Sequence, residues 1–328
     1  MRIVFMGTPE LAVPVLEQLL RGPYQVVAVY TGPDRPAGRG QVLSPSPVKV
    51  AAGGYGLAVY QPERLRPPEE VERLVGLAPD LIVVAAYGQM LPQEVLDIPP
   101  FCCVNLHSSL LPLHRGPSPV AAAILAGDEE TGVTIMLMDA GMDSGPVLSQ
   151  ERAPIEPGDT TGTLSARLAQ AGAKLLGETI PRWVSRDIDP RPQDDAAASY
   201  SRLISKDEGH LDWRLSVVEL WRRVRAFQPW PGCYAGWGDK KLKVLEAVPL
   251  VPLAIWHGLA PGTVVELDDE NRKAAPDAVG GMAGEAAFGV VAGDGTLGLC
   301  RVQLEGKRPL SAGDFLRGQR GLVGSVLR

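Results

Sequence analysis

The sequence predicts an α/β fold, a doubly wound and mainly parallel sheet followed by a smaller β-rich domain. Three observations predict it. Short runs rich in Val and Ile recur through the first half without polar alternation, and such runs read as strands buried on both faces. Stretches of helical period lie between most of them. Beyond residue 200 the pattern changes to short strands and Gly-rich turns with little helix, the mark of a small barrel or sandwich. A chain of 328 residues, 45% of them hydrophobic, suffices for two such domains.

Each element follows in order. Arg2–Met6 is the first strand. Thr8 is the expected N-cap and Pro9 the first helical residue of ELAVPVLEQLL, a helix that Pro14 should bend. QVVAVYT is the second strand, and LAVY, DLIVVAAY, FCCVNLH and GVTIMLM supply four more. Helices are expected around Pro47–Gly54, Pro68–Leu77 and Pro117–Ala126, and the amphipathic stretch Thr160–Arg186 closes the domain. From Asp187 the run DIDPRPQDD is polar and broken by proline, as a linker would be. The expected division is a domain over 1–187, a linker over 188–207 and a second domain over 208–328. There a helix in SVVELWRRVRAF precedes strands in KLKVLEAVPL, GTVVEL, FGVVAG and LGLCRVQLEG, and the Gly/Ala-rich insert Asp268–Ala287 reads as a mobile loop.

No apolar run approaches the roughly 20 residues of a membrane helix, and the first residues read as a strand rather than a signal peptide. A cytoplasmic protein without membrane association is expected. Cys102, Cys103, Cys233 and Cys300 form no Cys-x-x-Cys pair and read as core residues rather than disulfide or zinc ligands. The net charge of -6 argues mildly against a nucleic-acid partner, but its distribution is uneven. Residues 201–328 carry 17 Lys and Arg against 15 Asp and Glu, leaving 15 against 23 for residues 1–200.

Three places could carry chemistry. In an open parallel sheet, ligands bind beyond the carboxyl ends of the strands, and FCCVNLH ends in Asn105 and His107. Positions two apart share a face of a strand, so these two side chains point one way and Leu106 the other. Alone they would equally serve to satisfy local backbone groups. After GVTIMLM, the Gly-rich MDAGMDSGPV carries Asp139 and Asp143. A carboxylate near an imidazole can orient it and raise its pKa; an acidic turn is the plainer reading. The long segment Gly32–Lys49 carries Arg35, Arg39 and Lys49 with no acid after Asp34. Long links tend to be functional, and a flexible basic loop can grip phosphates, although a solvated surface loop would look the same.

Other chemistries lack their motifs. Gly7-Thr8-Pro9 follows the first strand without Gly-x-Gly-x-x-Gly, and the chain has no Gly-x-x-x-x-Gly-Lys-Ser/Thr or Gly-x-Ser-x-Gly. His107 and His114 lie seven apart with a proline between, poor spacing for a metal, so no metal is expected. His114, His210 and His257 read as surface or structural residues.

Taken together, FMGTPE, VYTGPDRPAGRGQ, SPSPVK, VVAAYGQMLP, VNLHSSLLPLHRGPSPV, AGDEETGVTIMLMDAGMDSG and FQPWPG resemble, in order and over nearly the whole chain, the methionyl-tRNA formyltransferases. The Asn-x-His-x-Ser-Leu-Leu-Pro string is shared by formyltetrahydrofolate-dependent formyltransferases generally. The basic loop and the second domain point to the tRNA enzymes. The resemblance implies a Rossmann-like catalytic domain and an OB-like barrel that holds tRNA. It places Asn105, His107 and Asp143 around the formyl group. It lines the folate pocket with Ala86, Tyr87, Gly88, Gln89, Met90 and Leu91, with the turn Ser108, Ser109, Leu110, Leu111 and Pro112, and with Asp139, Ala140, Gly141 and Met142. It carries Arg39 over as the leading contact to the tRNA acceptor end, supported by Arg35 and Lys49. The implied co-substrate is 10-formyltetrahydrofolate, the implied partner is methionyl initiator tRNA, and a monomer is expected. A formyltransferase acting on a small amine, such as a glycinamide ribonucleotide or an amino-sugar nucleotide, would explain the trio as well but not the basic loop. A non-enzymatic nucleotide-binding module would leave the trio unexplained.

Overall fold

The computed structural model describes residues 1–37, 42–250, 258–272 and 284–328. The chain packs as two compact units, one of Met1–Pro119, Glu130–Pro154 and Ser165–Arg202, the other of Val120–Glu129, Ile155–Leu164 and Leu203–Arg328. Among the described residues no helix is long and apolar enough to cross a membrane.

The first half runs β1 (Arg2–Gly7), α1 (Val13–Arg21), β2 (Gln25–Tyr30), β3 (Arg35–Ala37), β4 (Val42–Ser44), α2 (Pro47–Gly54), β5 (Val59–Tyr60), α3 (Pro68–Gly76), β6 (Leu81–Ala85), α4 (Gln93–Leu96), β7 (Cys103–His107), α5 (Pro119–Ala126), β8 (Glu130–Leu137), β9 (Val147–Pro154) and α6 (Thr161–Val184). The sheet of the first unit has the order β5-β2-β1-β6-β7-β8-β9. The strands β5 through β7 are mutually parallel. The expected parallel sheet is thus found, with one departure: β8 is antiparallel to β7, and β9 to β8. No strand was expected at β9. It is an edge strand whose exposure alternates along most of its length, so its sequence lacks the apolar run of the inner strands.

The core explains the order. Every residue of β6 and β7 is buried, as are Ile3–Gly7 of β1. On one face Val4, Met6, Ile82 and Val84 pack with Leu74 of α3 and Val95 of α4. Full burial of one such aliphatic side chain contributes about 1.5–3 kcal/mol, enough to fix which strands are central. On the opposite face Leu106 lies against Gly172 of α6, where an added Cβ would come within 2.6 Å of the leucine. That contact settles the facing of β7: Leu106 to the helix, Asn105 and His107 away from it.

The start of the chain departs from expectation. Thr8 is not an N-cap; Pro9 precedes a short 3-10 turn, Glu10–Ala12, without a side-chain cap bond. The Thr8 hydroxyl instead donates to the Tyr87 carbonyl at 3.0 Å and accepts from Gly32 N at 3.1 Å. Pro14 lies in the first turn of α1, where a missing N–H costs nothing, so it does not bend a helix interior.

The second unit continues with α7 (Val217–Ala226), β10 (Cys233–Trp237), β11 (Lys240–Leu250), β12 (Val264–Glu266), α8 (Asp269–Arg272), β13 (Phe288–Val291), β14 (Thr296–Leu304), β15 (Leu310–Ser311) and α9 (Ala312–Gly318). Its strands form an antiparallel sheet, β10-β11-β14-β13-β12, with β15 beside β14: a curled half-barrel. The register slips twice between β11 and β14, around Glu246, and such bulges bend a sheet. The expected mobile loop at Asp268–Ala287 begins instead with α8, where the Asp268 carboxylate accepts from Asn271 N, and Ala286 at its far end is in the core. Residues 273–283 lie outside the described residues, as does His257. None of the four cysteines is in a disulfide and three are buried; burial pushes the Cys233 and Cys300 thiols up to about 12, which disfavours the reactive thiolate.

Candidate active site

The carboxyl ends of β1, β6 and β7 converge, since Gly7 pairs with Ala85 and Ala85 with Leu106. Asn105 and His107 stand there, only 8% and 6% exposed. A buried imidazole and a buried amide must find partners, and the arrangement of those partners defines the site. His107 Nε2 lies 3.1 Å from the His114 carbonyl. A carbonyl only accepts, so Nε2 carries the hydrogen of that bond. The neutral ring then turns its Nδ1 lone pair toward Asp143, whose Oδ2 is 3.7 Å away. Asn105 Nδ2 reaches the other oxygen, Oδ1, at 3.5 Å, the outer limit of a hydrogen bond. Gly116 N donates to Oδ2 at 2.8 Å.

The trio named from the sequence is therefore together, though Asp143 does not come from a neighbouring strand end. Because β8 runs antiparallel, its last residue Leu137 pairs with Val104 at the base of β7. The loop after it must climb back along the sheet face to bring Asp143 level with Asn105 and His107. Gly145 closes that excursion: a Cβ there would stand 2.0 Å from the Leu137 carbonyl. The backbone is strained both in this loop and in the turn after β7. Asp143 has φ 51° and His114 φ 55°, left-handed values uncommon for residues other than glycine. Gly116, at φ 106°, is pressed against the Ser201 carbonyl. Strain of this kind persists only where the surroundings hold it.

The electrostatics correct one expectation. Asp143 does raise the His107 pKa, and so does the His114 carbonyl, but burial lowers it by more, so the imidazole lies below its ordinary value of 6.5. Desolvation of the cation outweighs a carboxylate held beyond hydrogen-bond distance. His107 is neutral at neutral pH.

The other expected site residues fall into groups. Ala86, Gly88 and Met90 are exposed beyond β6, whereas Tyr87 and Leu91 are buried and Gln89 donates to the Pro62 carbonyl. In the turn after β7, Ser108, Leu110 and Pro112 are half-buried. Ser109 and Leu111 are buried, Ser109 donating to the Leu113 carbonyl and Leu111 packing with Met136 and Val147. Asp139, Ala140, Gly141 and Met142 are exposed, and Asp139 accepts from Gly141 N and Ser144 Oγ. Arg35 is exposed on a two-stranded ribbon of β3 and β4 rather than on plain coil. Arg39 lies outside the described residues. Lys49 is not free: its ammonium pairs with Asp34 at 2.6 Å, and Gln61 donates to the same carboxylate. With the buried Thr31–Ser46 hydroxyl pair, these bonds pin the foot of the basic loop.

Sequence reading missed the segment 191–201, taken as linker. Arg191 and Val147 exchange backbone hydrogen bonds, Gln193 Nε2 donates to the carbonyls of Asp143 and Gly145 at 2.8 and 2.7 Å, and Ser199 Oγ accepts from His114 N. Arg115, 2% exposed, meets Gln193 Oε1 at 3.0 Å and pairs with Asp195 at 2.7 Å. The only signal in the sequence was the arginine itself, since a buried guanidinium requires acceptors, but nothing in the chain order says which. Among the described residues no cluster of His, Cys, Asp and Glu is placed to hold a metal ion.

Residues 1–180 match the Formyl transferase family, and residues 203–320 match Formyl transferase, C-terminal domain. The chain belongs to the formyl transferase family. Over 324 residues it is 48% identical to a methionyl-tRNA formyltransferase of Dehalococcoides mccartyi, a match covering 99% of this chain and 97% of that one. It is 46% identical to that of Roseiflexus sp. over 321 residues, 98% and 93% of the two chains. Solved structures share the fold. HypX from Aquifex aeolicus in complex with tetrahydrofolic acid aligns with a TM-score of 0.62 at 18% identity, over 99% of this chain and 48% of that one. An N-formyltransferase from Helicobacter canadensis with folinic acid and dTDP-3-aminofucose gives 0.62 at 18%, over 90% and 98%.

Proposed function

We propose that this chain transfers the formyl group of 10-formyltetrahydrofolate to the free α-amine of methionyl initiator tRNA, making N-formylmethionyl-tRNA for translation initiation. The carrying observation is the convergence of Asn105, His107 and Asp143 on one buried face in a chain that matches named methionyl-tRNA formyltransferases over 99% of its length. Transfer to a small amine is not favoured, since the sugar N-formyltransferase neighbours share the fold at only 18–19% identity. The division of labour proposed is formyl chemistry on residues 1–187 and tRNA holding on 208–328, joined by 188–207, in a cytoplasmic monomer.

The residues have separable roles. Ala86, Gly88, Met90, Ser108, Leu110, Pro112 and the loop Asp139–Met142 would line the folate, while the buried Tyr87, Ser109 and Leu111, with Gln89 and Leu91, set the backbone that presents them. A planar pterin needs apolar cover and a few polar groups along its edge, which this mixture supplies. Asn105 Nδ2 has two hydrogens; one faces Asp143, and the other is directed to the formyl oxygen as it gains charge. One such donor typically contributes about 3–4 kcal/mol in acyl transfer. His107, neutral before the reaction, accepts the proton that the attacking amine gives up. Asp143 Oδ2 then faces a charged imidazolium and stabilises it. When the C–N bond to folate breaks, His107 returns that proton to the leaving nitrogen. One N–C bond forms, one breaks, and one proton crosses between the two nitrogens. Arg35 and Arg39 would contact the acceptor end of the tRNA, and Lys49, tied to Asp34, would set the foot of their loop. The test is formyl transfer from 10-formyltetrahydrofolate to purified methionyl initiator tRNA. No transfer to it, with transfer to an amino-sugar nucleotide, would replace this reading by the small-amine one.

A further inference from the structure

Asp143 holds a left-handed backbone at φ 51° on a loop that climbs away from its own strand, and it must aim one carboxylate at three partners, Asn105, His107 and Gly116 N. Something has to hold that backbone. The bonds that do so come from a segment 50 residues away. Gln193 Nε2 gives both its hydrogens to this loop, one to the Asp143 carbonyl at 2.8 Å and one to the Gly145 carbonyl at 2.7 Å. Its Oε1 accepts from Arg115 Nε at 3.0 Å. Arg115 in turn is 2% exposed, is paired with Asp195, and lies between His114 and Gly116. Those neighbours supply the carbonyl for His107 and the N–H for Asp143. An arginine can only donate, so it fixes the Gln193 amide with oxygen inward and nitrogen toward the two carbonyls.

We propose that Gln193, oriented by Arg115, is a positioning residue for the reaction: it holds the Asp143 and Gly145 carbonyls so that the Asp143 carboxylate meets Asn105 and His107. The proposal rests on the reading of Asp143 as a member of the catalytic trio. Glutamate at 193 would keep the size and the Arg115 bond but set a carboxylate oxygen against two carbonyls. Alanine would remove both bonds to the loop carbonyls and leave the Gly116 N–H as the remaining tie on the Asp143 carboxylate. The backbone exchange of Arg191 with Val147 and the Ser199 and Ser201 contacts remain in either variant, so the segment stays docked while the aim of Asp143 is lost.

The experiment compares Gln193→Glu, Gln193→Ala, Asp143→Ala and the double variant Gln193→Ala/Asp143→Ala with the unaltered protein. It measures kcat, KM for both substrates, the pH–rate profile and the melting midpoint. The expected result is a fall in kcat of about tenfold to a hundredfold for both single Gln193 variants, the scale of a small misplacement of a reacting group. KM for 10-formyltetrahydrofolate should stay within about twofold. The limb of the profile that reports His107 should move to lower pH, since a displaced carboxylate supports the imidazolium less. Starting from Asp143→Ala, adding Gln193→Ala should lower kcat no further, because residues acting as a unit are not additive. A Gln193→Glu enzyme with kcat within twofold of normal overturns the proposal. So does a full additional loss in the double variant, which would assign Gln193 to general folding. If Asp143→Ala itself keeps near-normal kcat, the trio reading fails and this proposal falls with it, an outcome distinct from loss at Asp143 alone.

Discussion

The two sheets of this protein use their residues in opposite ways. In the first unit, β7 is buried along its length and spends its last positions on Asn105 and His107, polar groups enclosed at a strand end. In the second unit, β11 alternates at its start: Leu242 and Val244 go inward while Lys241 and Lys243 are exposed. A strand covered on both faces has nowhere to show polarity except at its end. An antiparallel strand with one wet face can display a row of charges. One geometry suits chemistry in a low-dielectric pocket, and the other would suit the tRNA-holding role proposed for residues 208–328. The charge balance agrees, with residues 201–328 less acidic than the rest.

Variants should divide along the same line. The largest effect is expected for His107→Ala, which removes the proton acceptor: kcat falls by about a thousandfold or more, on the scale of general acid–base loss, while 10-formyltetrahydrofolate binding, measured by fluorescence titration, changes little. Near-normal turnover would break the comparison at its centre. Asp143→Asn should lower kcat by about a hundredfold. Its pH profile carries the sign of the coupling. Asp143 raises the His107 pKa against the larger effect of burial, so removing its charge drops that pKa further and moves the acidic limb of kcat/KM to lower pH. An unmoved limb would mean that the two groups do not act together.

Arg39→Ala comes next, with kcat/KM for methionyl initiator tRNA reduced tenfold or more, equivalent to about 1–3 kcal/mol for one bidentate contact. Hydrolysis of 10-formyltetrahydrofolate without tRNA should be spared, because the trio is untouched; equal losses in both rates would point to a damaged fold. The smallest effects are expected on the second sheet. Lys241→Ala and Lys243→Ala should each raise KM for tRNA a few-fold with kcat unchanged, and reduce the salt dependence of binding by about one unit of slope. Lys241 also covers the Tyr234 ring at 4.6 Å, so a melting curve should accompany its kinetics. A fall in kcat from either lysine would blur the distinction between the sheets.

Much of this was legible in the sequence. The strands β1, β2, β6, β7 and β8 and the helices α2 and α3 announce themselves through apolar runs and proline starts, and the Asn-x-His spacing fixes two side chains on one face by alternation alone. The edge strand β9 was not legible, because one of its faces meets solvent. The charge state of His107 was not legible either: a nearby carboxylate that raises its pKa can be read from the chain, but the depth of burial that outweighs it cannot.

By itself the sequence determined the class of the fold and the shared facing of Asn105 and His107, since periodicity is a property of the chain; their meeting with Asp143 was implied only by the family resemblance. Tertiary structure decided how they meet. The reversal of β8 forces Asp143 to arrive by a strained climb, and the polar segment 191–201, which has every local mark of a linker, is held by Arg115, 78 residues from Gln193 and 80 from Asp195, and by the Asp143 carbonyl, 50 residues from Gln193. Local composition reports what a segment can bury by itself, whereas a hydrogen-bonded brace depends on acceptors that only the folded chain brings within 3 Å.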